Sequence, residues 1–163
     1  MELSFAQVVL WLFVINLGIS FGAGLYESRV TVRQWLTYSP GTGYRWNRAA
    51  ANEANVGLRF WVYVTTIPLT LLTLASLVCA WAAAEPVKTW WLTAAQAALI
   101  DRVLTFTYFI PTMIKLMSGE IPEGQAVAKA QQWVRLGYIR QAATLVAWLA
   151  ALNAFALFYR QIP

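Results

Sequence analysis

Four long apolar stretches constrain this chain more than any other feature of its sequence. They run over residues 6–35, 58–84, 89–113 and 125–158 of the 163. Each contains the run of about 20 mainly apolar residues that a helix needs to cross a bilayer. Their apolar residues do not alternate with polar ones, as they would in the strands of a membrane barrel. Because lipid admits only helices and closed barrels, the sequence predicts an all-α fold, an integral membrane four-helix bundle with antiparallel up-down topology.

Turn-forming residues separate the four stretches. The sequence YSPGTG occupies 38–43, Pro86 disfavours a helical conformation at Glu85, and SGEIPEG occupies 118–124. No internal repeat or low-complexity segment is evident, so residues 1–163 are predicted to form a single domain. The N-terminal stretch lacks the positively charged start of a signal peptide and is predicted to be a retained first span.

The scarcity of charged residues excludes most soluble classes of protein. They make up 12% of the chain, whereas a soluble domain carries about 25%. The formal net charge is +5, and in a membrane protein such an excess marks the cytoplasmic side rather than a nucleic-acid surface. We therefore expect the protein to lie in a lipid bilayer. We expect no nucleic-acid partner.

The distribution of basic residues predicts how the chain crosses the membrane. Eight of them lie in or near the first and third loops, and two lie on the opposite side. Because Lys and Arg concentrate in cytoplasmic loops, these two loops are predicted to be cytoplasmic and both termini outside, in the bacterial cytoplasmic (inner) membrane. The eight are Arg29, Arg33, Arg45, Arg48, Arg59, Lys115, Lys129 and Arg135, and the two are Lys88 and Arg160.

The residues that usually bind metals and haem are nearly absent from the chain. It has no histidine and one cysteine, Cys79. One chain therefore cannot supply the ligands of a Cys/His zinc site or of a His-ligated haem. The sequence predicts no metal site and no cofactor.

Each apolar stretch carries one stripe of small and polar residues at helical spacing. Polar side chains in a span normally face the protein interior, which predicts a buried polar network. Small residues and hydroxyl groups also allow helices to pack closely, so the stripe fits a structural role as well as a binding site. The candidate network residues are Asn16, Glu27, Thr66, Thr70, Asp101, Arg102 and Arg140.

Asp101 is the acid expected deepest in the membrane, about 18 Å along the third stretch at 1.5 Å per residue. An unpaired charge there costs on the order of 3 kcal/mol, so we expect an arginine partner. The candidates are Arg140 and, through a curled side chain, Arg102. One arrangement pairs Asp101 with Arg140 and Arg102 with Glu27. Whether such a network is structural or functional stays open.

The prolines predict where the helices bend, and the tryptophans predict where the membrane surface lies. Pro68 and Pro111 are expected to kink the second and third spans, and Pro68 to free a carbonyl near Val64. Tryptophans near the loops are expected to form interfacial belts at the membrane surface. They include Trp35, Trp46, Trp61, Trp81, Trp90 and Trp91.

Three short motifs resemble a widespread group of small membrane proteins. They are FGAGLYE at 21–27, TYFIPT at 107–112 and WVRLGYIR at 133–140. Over nearly the whole chain they are similar to four-helix bacterial membrane proteins of unknown function that are grouped with anthrone oxygenases. The matching positions are Gly22, Glu27, Pro111, Trp133, Arg135 and Arg140.

The oxygenase branch of that group implies a chemistry without a cofactor, in which an activated phenolic carbanion meets oxygen directly. Such chemistry needs a general base, and histidine, the commonest one, is missing here. Only Asp101 or Glu27 is then available to take the proton.

Two classes of function are open at this point. The favoured one is a non-catalytic accessory or scaffold subunit of a membrane assembly, with a membrane-protein partner or a second copy of the chain. Short loops and abundant tryptophan on the outer faces support it. The alternative is a cofactor-free oxygenase or a binding pocket for a hydrophobic aromatic compound within the bundle, supported by the central polar network and the proline kinks.

Overall fold

The computed structural model describes residues 4–160 of the chain, and residues 1–3 and 161–163 lie outside that part. Four helices in it are long and apolar enough to cross a membrane. The extreme chain ends, which are predicted to lie outside the cell, fall beyond the described range. The four helices are the first span Phe5–Trp35, the second span Gly57–Ala82, the third span Val87–Ser118 and the fourth span Glu123–Arg160.

The bounds of these spans agree with the predicted ones to within two residues, except at one end. The third span continues to Ser118, so the predicted end at 113 is wrong. Lys115 is exposed and its charge does not interrupt the helix. The helix ends instead at Gly119, whose φ of +80° is the left-handed conformation that glycine adopts without strain.

Three of the four spans contain a π-helical segment, whereas the fourth is α-helical throughout. Such segments are rare, and they frequently occur at functional sites. In the first span, Glu27–Thr31 is π-helical between the α-helices Phe5–Tyr26 and Val32–Trp35. In the second span, Gly57–Thr66 is π-helical before the α-helix Ile67–Ala82. In the third span, Thr105–Phe109 is π-helical between the α-helices Val87–Leu104 and Ile110–Ser118.

Both prolines within the spans directly follow a π-helical segment. Pro68 and Pro111 are each the second residue of the α-helix that comes next. Proline has no N–H to donate to the carbonyl four residues earlier, and this favours a change of hydrogen-bond register just before it. For Pro68 that carbonyl belongs to Val64, and Asn16 Nδ2 donates to it at 2.9 Å. The expected free carbonyl therefore has a partner on the first span.

The α-helical halves of the spans pack around an apolar core. Phe5–Tyr26 and Val87–Leu104 each pack against both Ile67–Ala82 and the fourth span. Alanines on the facing sides allow the close approach that holds membrane helices together. The fully buried core residues include Leu10, Phe13, Leu69, Trp91, Ala94, Ala147, Ala151 and Ala154.

The first loop contains a β-hairpin that the sequence pattern did not predict, so the fold is helical but not purely so. Strand β1, Leu36–Ser39, pairs antiparallel with β2, Gly43–Trp46. Gly41, with φ +97°, sits in the turn between them, and Gly43, with φ +75°, opens β2. A short helix, Arg48–Ala54, follows the hairpin and leads into the second span.

The tryptophans near the loops do not all form an interfacial belt. Trp81 and Trp90 are exposed, as a belt requires, but Trp35 and Trp91 are only 2% and 0% exposed. The belt prediction is wrong for these two residues. Closeness to a loop indicates how deep a side chain lies along the span, but the packing of neighbouring helices decides whether it points outward.

Candidate functional site

A cavity of about 470 Å³ lies between the spans at the level of the π-helical segments. Its size falls within the range of about 300–1,000 Å³ that small-molecule sites occupy. All four spans and the short helix Arg48–Ala54 contribute to its wall. Each π-helical segment supplies lining residues, among them Glu27, Trp61, Thr66, Thr105 and Phe109.

Asp101 is at the centre of a charged cluster in the cavity wall. Its side chain is buried, and its Oδ2 accepts hydrogen bonds from Arg102 Nε at 3.0 Å and from Arg102 Nη2. Its Oδ1 lies 3.9 Å from Arg140 Nε. Both predicted arginine partners therefore contact Asp101, and the Arg102 side chain curls back onto its neighbour in sequence to do so.

Glu27 does not pair with Arg102, so that part of the predicted arrangement is wrong. Its Oε1 accepts a hydrogen bond from Trp61 Nε1 at 2.8 Å. The guanidinium of Arg140 lies over the rings of Phe109 and Trp61, 4.4 and 5.8 Å from their centroids. Arg140 therefore joins Asp101 to the aromatic wall by ionic and cation–π attraction, and the hydrogen bond of Trp61 joins that wall to Glu27.

The hydroxyl and amide residues of the predicted network are divided between the cavity and the helix packing. Thr66 lines the cavity, whereas Asn16 and Thr70 do not. Asn16 holds the Val64 carbonyl, and Thr70 Oγ1 donates to the Thr66 carbonyl at 2.6 Å. Other threonine hydroxyls likewise bond the carbonyl four residues earlier, a structural use of the stripe. They belong to Thr65, Thr73, Thr105 and Thr144.

Several lining residues were not predicted from the sequence. Trp35 and Trp61 were assigned to an interfacial belt, yet both line the cavity, as do Phe109 and Gln141. Gly24, in the motif FGAGLYE at 21–27, offered a signal for a close neighbour on another span. A Cβ at Gly24 would lie 3.2 Å from Gln141 Cδ and closer still to its Nε2, so this glycine makes room for a polar residue of the fourth span.

Three polar side chains of the lining keep an atom without a hydrogen-bond partner among residues 4–160. These atoms are Arg102 Nη1, Trp35 Nε1 and Gln141 Oε1. Arg102 is 6% exposed and Trp35 is 2% exposed, and an unsatisfied buried polar group costs about 1–3 kcal/mol. Apolar walls with a few buried polar groups are typical of small-molecule sites. The apolar part of the lining includes Phe21, Leu58, Val62, Ile110, Met113, Ile114 and Met117.

The short helix Arg48–Ala54 closes the cavity on the side of the first loop. Arg48 Nε donates to the Met117 carbonyl at 2.7 Å, and Arg48 Nη2 donates to the Ser118 carbonyl. Asn52 Nδ2 also donates to the Met117 carbonyl, at 3.1 Å. The last carbonyls of a helix lack a donor from within it, so these two side chains satisfy the end of the third span while they hold the short helix in place.

We expect Gly119→Ala to loosen this closure and to lower the melting temperature of the protein in detergent. A Cβ at Gly119 would lie 2.6 Å from Arg48 Cζ, and a left-handed conformation costs about 1–2 kcal/mol for a residue with a Cβ. Gly124→Ala is the matched control, because Gly124 has ordinary φ and no atom within 4 Å of an added Cβ. Equal melting temperatures for the two variants would contradict the role given to Gly119.

Among residues 4–160, no three His, Cys, Asp or Glu side chains gather in a way that could hold a metal ion. No known family model, no curated protein and no solved structure matches this chain. The function is therefore argued from the cavity and its charged cluster.

Proposed function

We propose that this protein binds a small hydrophobic aromatic compound inside the membrane, in the cavity between its four spans. The observation that supports this is a cavity of about 470 Å³ in which Arg102 Nη1 and Trp35 Nε1 are donors without a partner among the described residues. An oxygen atom of the ligand would accept from these donors and remove the cost of burying them. The rings of Trp61, Phe109 and Trp133 would pack against an aromatic ligand.

Filling the cavity should abolish this binding. Met113→Trp adds a large ring to the lining, whereas Thr112→Trp changes the adjacent residue, which is not part of the lining. We expect mass spectrometry to find a small molecule extracted with the wild-type protein in mild detergent and with Thr112→Trp, and to find it lost from Met113→Trp. Melting curves check that both variants fold.

The accessory or scaffold role remains the competing proposal. Large apolar side chains on the outer faces of the spans support it, although a bilayer covers such side chains equally well. They include Leu71, Val78 and Trp81. A stoichiometric protein partner and no small molecule in the wild-type preparation would support the scaffold role and contradict the binding role.

Cofactor-free oxygenation in the same cavity is a second candidate, and the position of Glu27 favours it. The family resemblance implies a base, and Asp101 is engaged by two guanidinium groups. Glu27 borders the cavity and has no ion pair within 4.0 Å in residues 4–160. Glu27 would take a proton from a phenolic compound, and the resulting carbanion would form a carbon–oxygen bond with O₂. The peroxide anion so formed would take the proton back from Glu27 and leave as a hydroperoxide. Glu27→Gln should then keep ligand binding and lose oxygen consumption.

We also propose that the spans form an antiparallel up-down bundle in the bacterial cytoplasmic membrane, with the first and third loops in the cytoplasm. The eight-to-two excess of basic residues supports this orientation. Ser39→Cys and Ser118→Cys, each in a Cys79→Ala background, place one thiol in each loop. We expect an impermeant thiol reagent to leave both unlabelled in intact cells. Labelling of both would overturn the orientation, and labelling of only one would overturn the four-span topology.

A further inference from the structure

Beside the cavity, the second and third spans separate from each other over part of their length. Their α-helical parts Ile67–Ala82 and Val87–Leu104 pack closely against each other. The remaining parts, Gly57–Thr66 of the second span and Thr105–Phe109 and Ile110–Ser118 of the third, make few contacts across the gap. The cavity lies against this gap, since residues from all three of these segments line it.

Leu58 and Ile114 mark where the cavity reaches the outer surface. Both line the cavity, and yet their side chains are 62% and 58% exposed. The side of the first loop is closed by the hydrogen bonds of Arg48 and Asn52 to the end of the third span. Leu58 and Ile114 are each followed by an exposed basic residue, Arg59 and Lys115. If the helices span a bilayer, the opening therefore lies near its surface, where basic side chains reach the headgroups while their apolar neighbours contact the acyl chains.

The lining of the cavity is charged at Arg102 and mainly apolar toward Ile114, where Asn55 and Ser118 also contribute. Arg102 and Ile114 are twelve positions apart on the third span, about three helical turns. The lining between them is mainly apolar, including Ile110 and Met113. A ligand that fills this shape has a polar head at the cluster and an apolar chain that reaches the opening.

The charged cluster also restricts the charge of the head. Glu27 and Asp101 balance Arg102 and Arg140, so the formal charge of the cluster is zero. A charged head would add an unpaired charge in a low-dielectric site, which is costly. Arg102 Nη1, which has no partner among the described residues, needs only an acceptor oxygen, and a neutral carbonyl or hydroxyl supplies one.

We infer that the ligand is a neutral, membrane-dissolved amphiphile whose head is a ring bearing carbonyl or hydroxyl oxygens. It enters sideways from the bilayer between the second and third spans, places its head at Arg102 and leaves its chain in the opening between Leu58 and Ile114. This inference rests on the proposed binding function, to which it adds the route of entry and the charge and shape of the ligand.

Three radiolabelled probes test this ligand class on the whole protein in lipid nanodiscs. They are a benzoquinone with a ten-carbon chain, the same ring with a methyl group in place of the chain, and the ten-carbon fatty acid. We expect the chain-bearing quinone to bind about tenfold more tightly than either of the others, a difference of ~1.4 kcal/mol. Tighter binding of the fatty acid would overturn the neutral head, and equal binding of the methyl analogue would overturn the role of the chain.

Blocking the opening tests the place of the chain through the affinity and the route through the association rate. The variant with both Leu58→Trp and Ile114→Trp should bind the chain-bearing quinone about tenfold more weakly and associate with it about tenfold more slowly. The control with both Leu71→Trp and Val78→Trp enlarges exposed residues of the second span that do not line the cavity, and it should bind like the wild type. A diazirine at the end of the quinone chain should label residues next to 58 and 114.

The outcomes separate the route from the binding function. Saturable binding that is reached equally fast in the wild type and in the blocked variant, or labelling confined to the β-hairpin of the first loop, would overturn lateral entry and leave the binding function standing. Absence of saturable binding of all three probes to the wild-type protein would overturn both.

Discussion

Asp101→Ala should destabilise this protein by about 3–5 kcal/mol, the cost of leaving a buried charge without its partner. The substitution leaves Arg102 and Arg140 without the carboxylate that both contact, and Arg102 is 6% exposed. Thermal melts in a mild detergent measure the effect. Removing the arginine as well, in Asp101→Ala with Arg102→Met, should restore much of the lost stability, because the cluster then keeps one acid, Glu27, and one guanidinium, Arg140, and its formal charge is again zero.

Glu53→Ala is the control for this prediction, since Glu53 is an exposed acid on the short helix Arg48–Ala54. Its loss should leave the melting temperature nearly unchanged, as exposed charges contribute little. An Asp101→Ala variant as stable as the wild type would show that the Asp101 carboxylate does not stabilise the buried guanidinium groups of Arg102 and Arg140. If the double variant folds but no longer binds ligand, the cluster has a functional role beyond its structural one.

Gly18→Leu should destabilise the packing of the first span against the fourth by about 1–3 kcal/mol, the usual cost of overfilling a packed core. A Cβ at Gly18 would lie 3.1–3.2 Å from three atoms of the Trp148 indole. That ring also packs against Phe21, with centroids 5.9 Å apart, so it has little freedom to retreat. The measurement is the same detergent melt.

Gly22→Leu is the matched control for Gly18→Leu. It lies one turn further along the same α-helix, is exposed, and would place its Cβ with no heavy atom within 4 Å. Both substitutions change helix propensity equally, so the difference between their melting temperatures reports the contact with Trp148. Equal destabilisation by the two variants would refute close packing at Gly18.

The spans were predictable because hydropathy and length are properties of a local stretch of chain. Their bounds agree with expectation except near Ser118, where the cap at Gly119, rather than the end of the apolar run, decides the helix end. The pairing of Asp101 was predictable for a similar reason: the cost of an unpaired charge in hydrocarbon demands a partner. Arg102 is the next residue in the chain, and it is one of the arginines that pair with Asp101.

For residues that follow a π-helical segment, the sequence did not predict which face of the helix they occupy. The stripes were drawn at α-helical spacing, but the π-helical segments bond i to i+5 and change the number of residues per turn. Past such a segment an extrapolated stripe loses its register. A stripe also does not show how far a cavity extends along it: Thr66 lines the cavity, whereas Thr70, one α-helical turn further along the second span, does not.

The sequence by itself therefore determined that the chain is helical, that four of its helices are long and apolar enough to cross a membrane, and that its deepest acid needs an arginine. The tertiary structure alone decided that a cavity surrounds that acid, that Trp35 and Trp61 turn toward it, and that the second and third spans separate beside it. These features depend on contacts between residues far apart in the chain, such as Arg48 with the Ser118 carbonyl 70 positions later. Local patterns of hydropathy and charge do not specify which backbone carbonyl a distant side chain reaches.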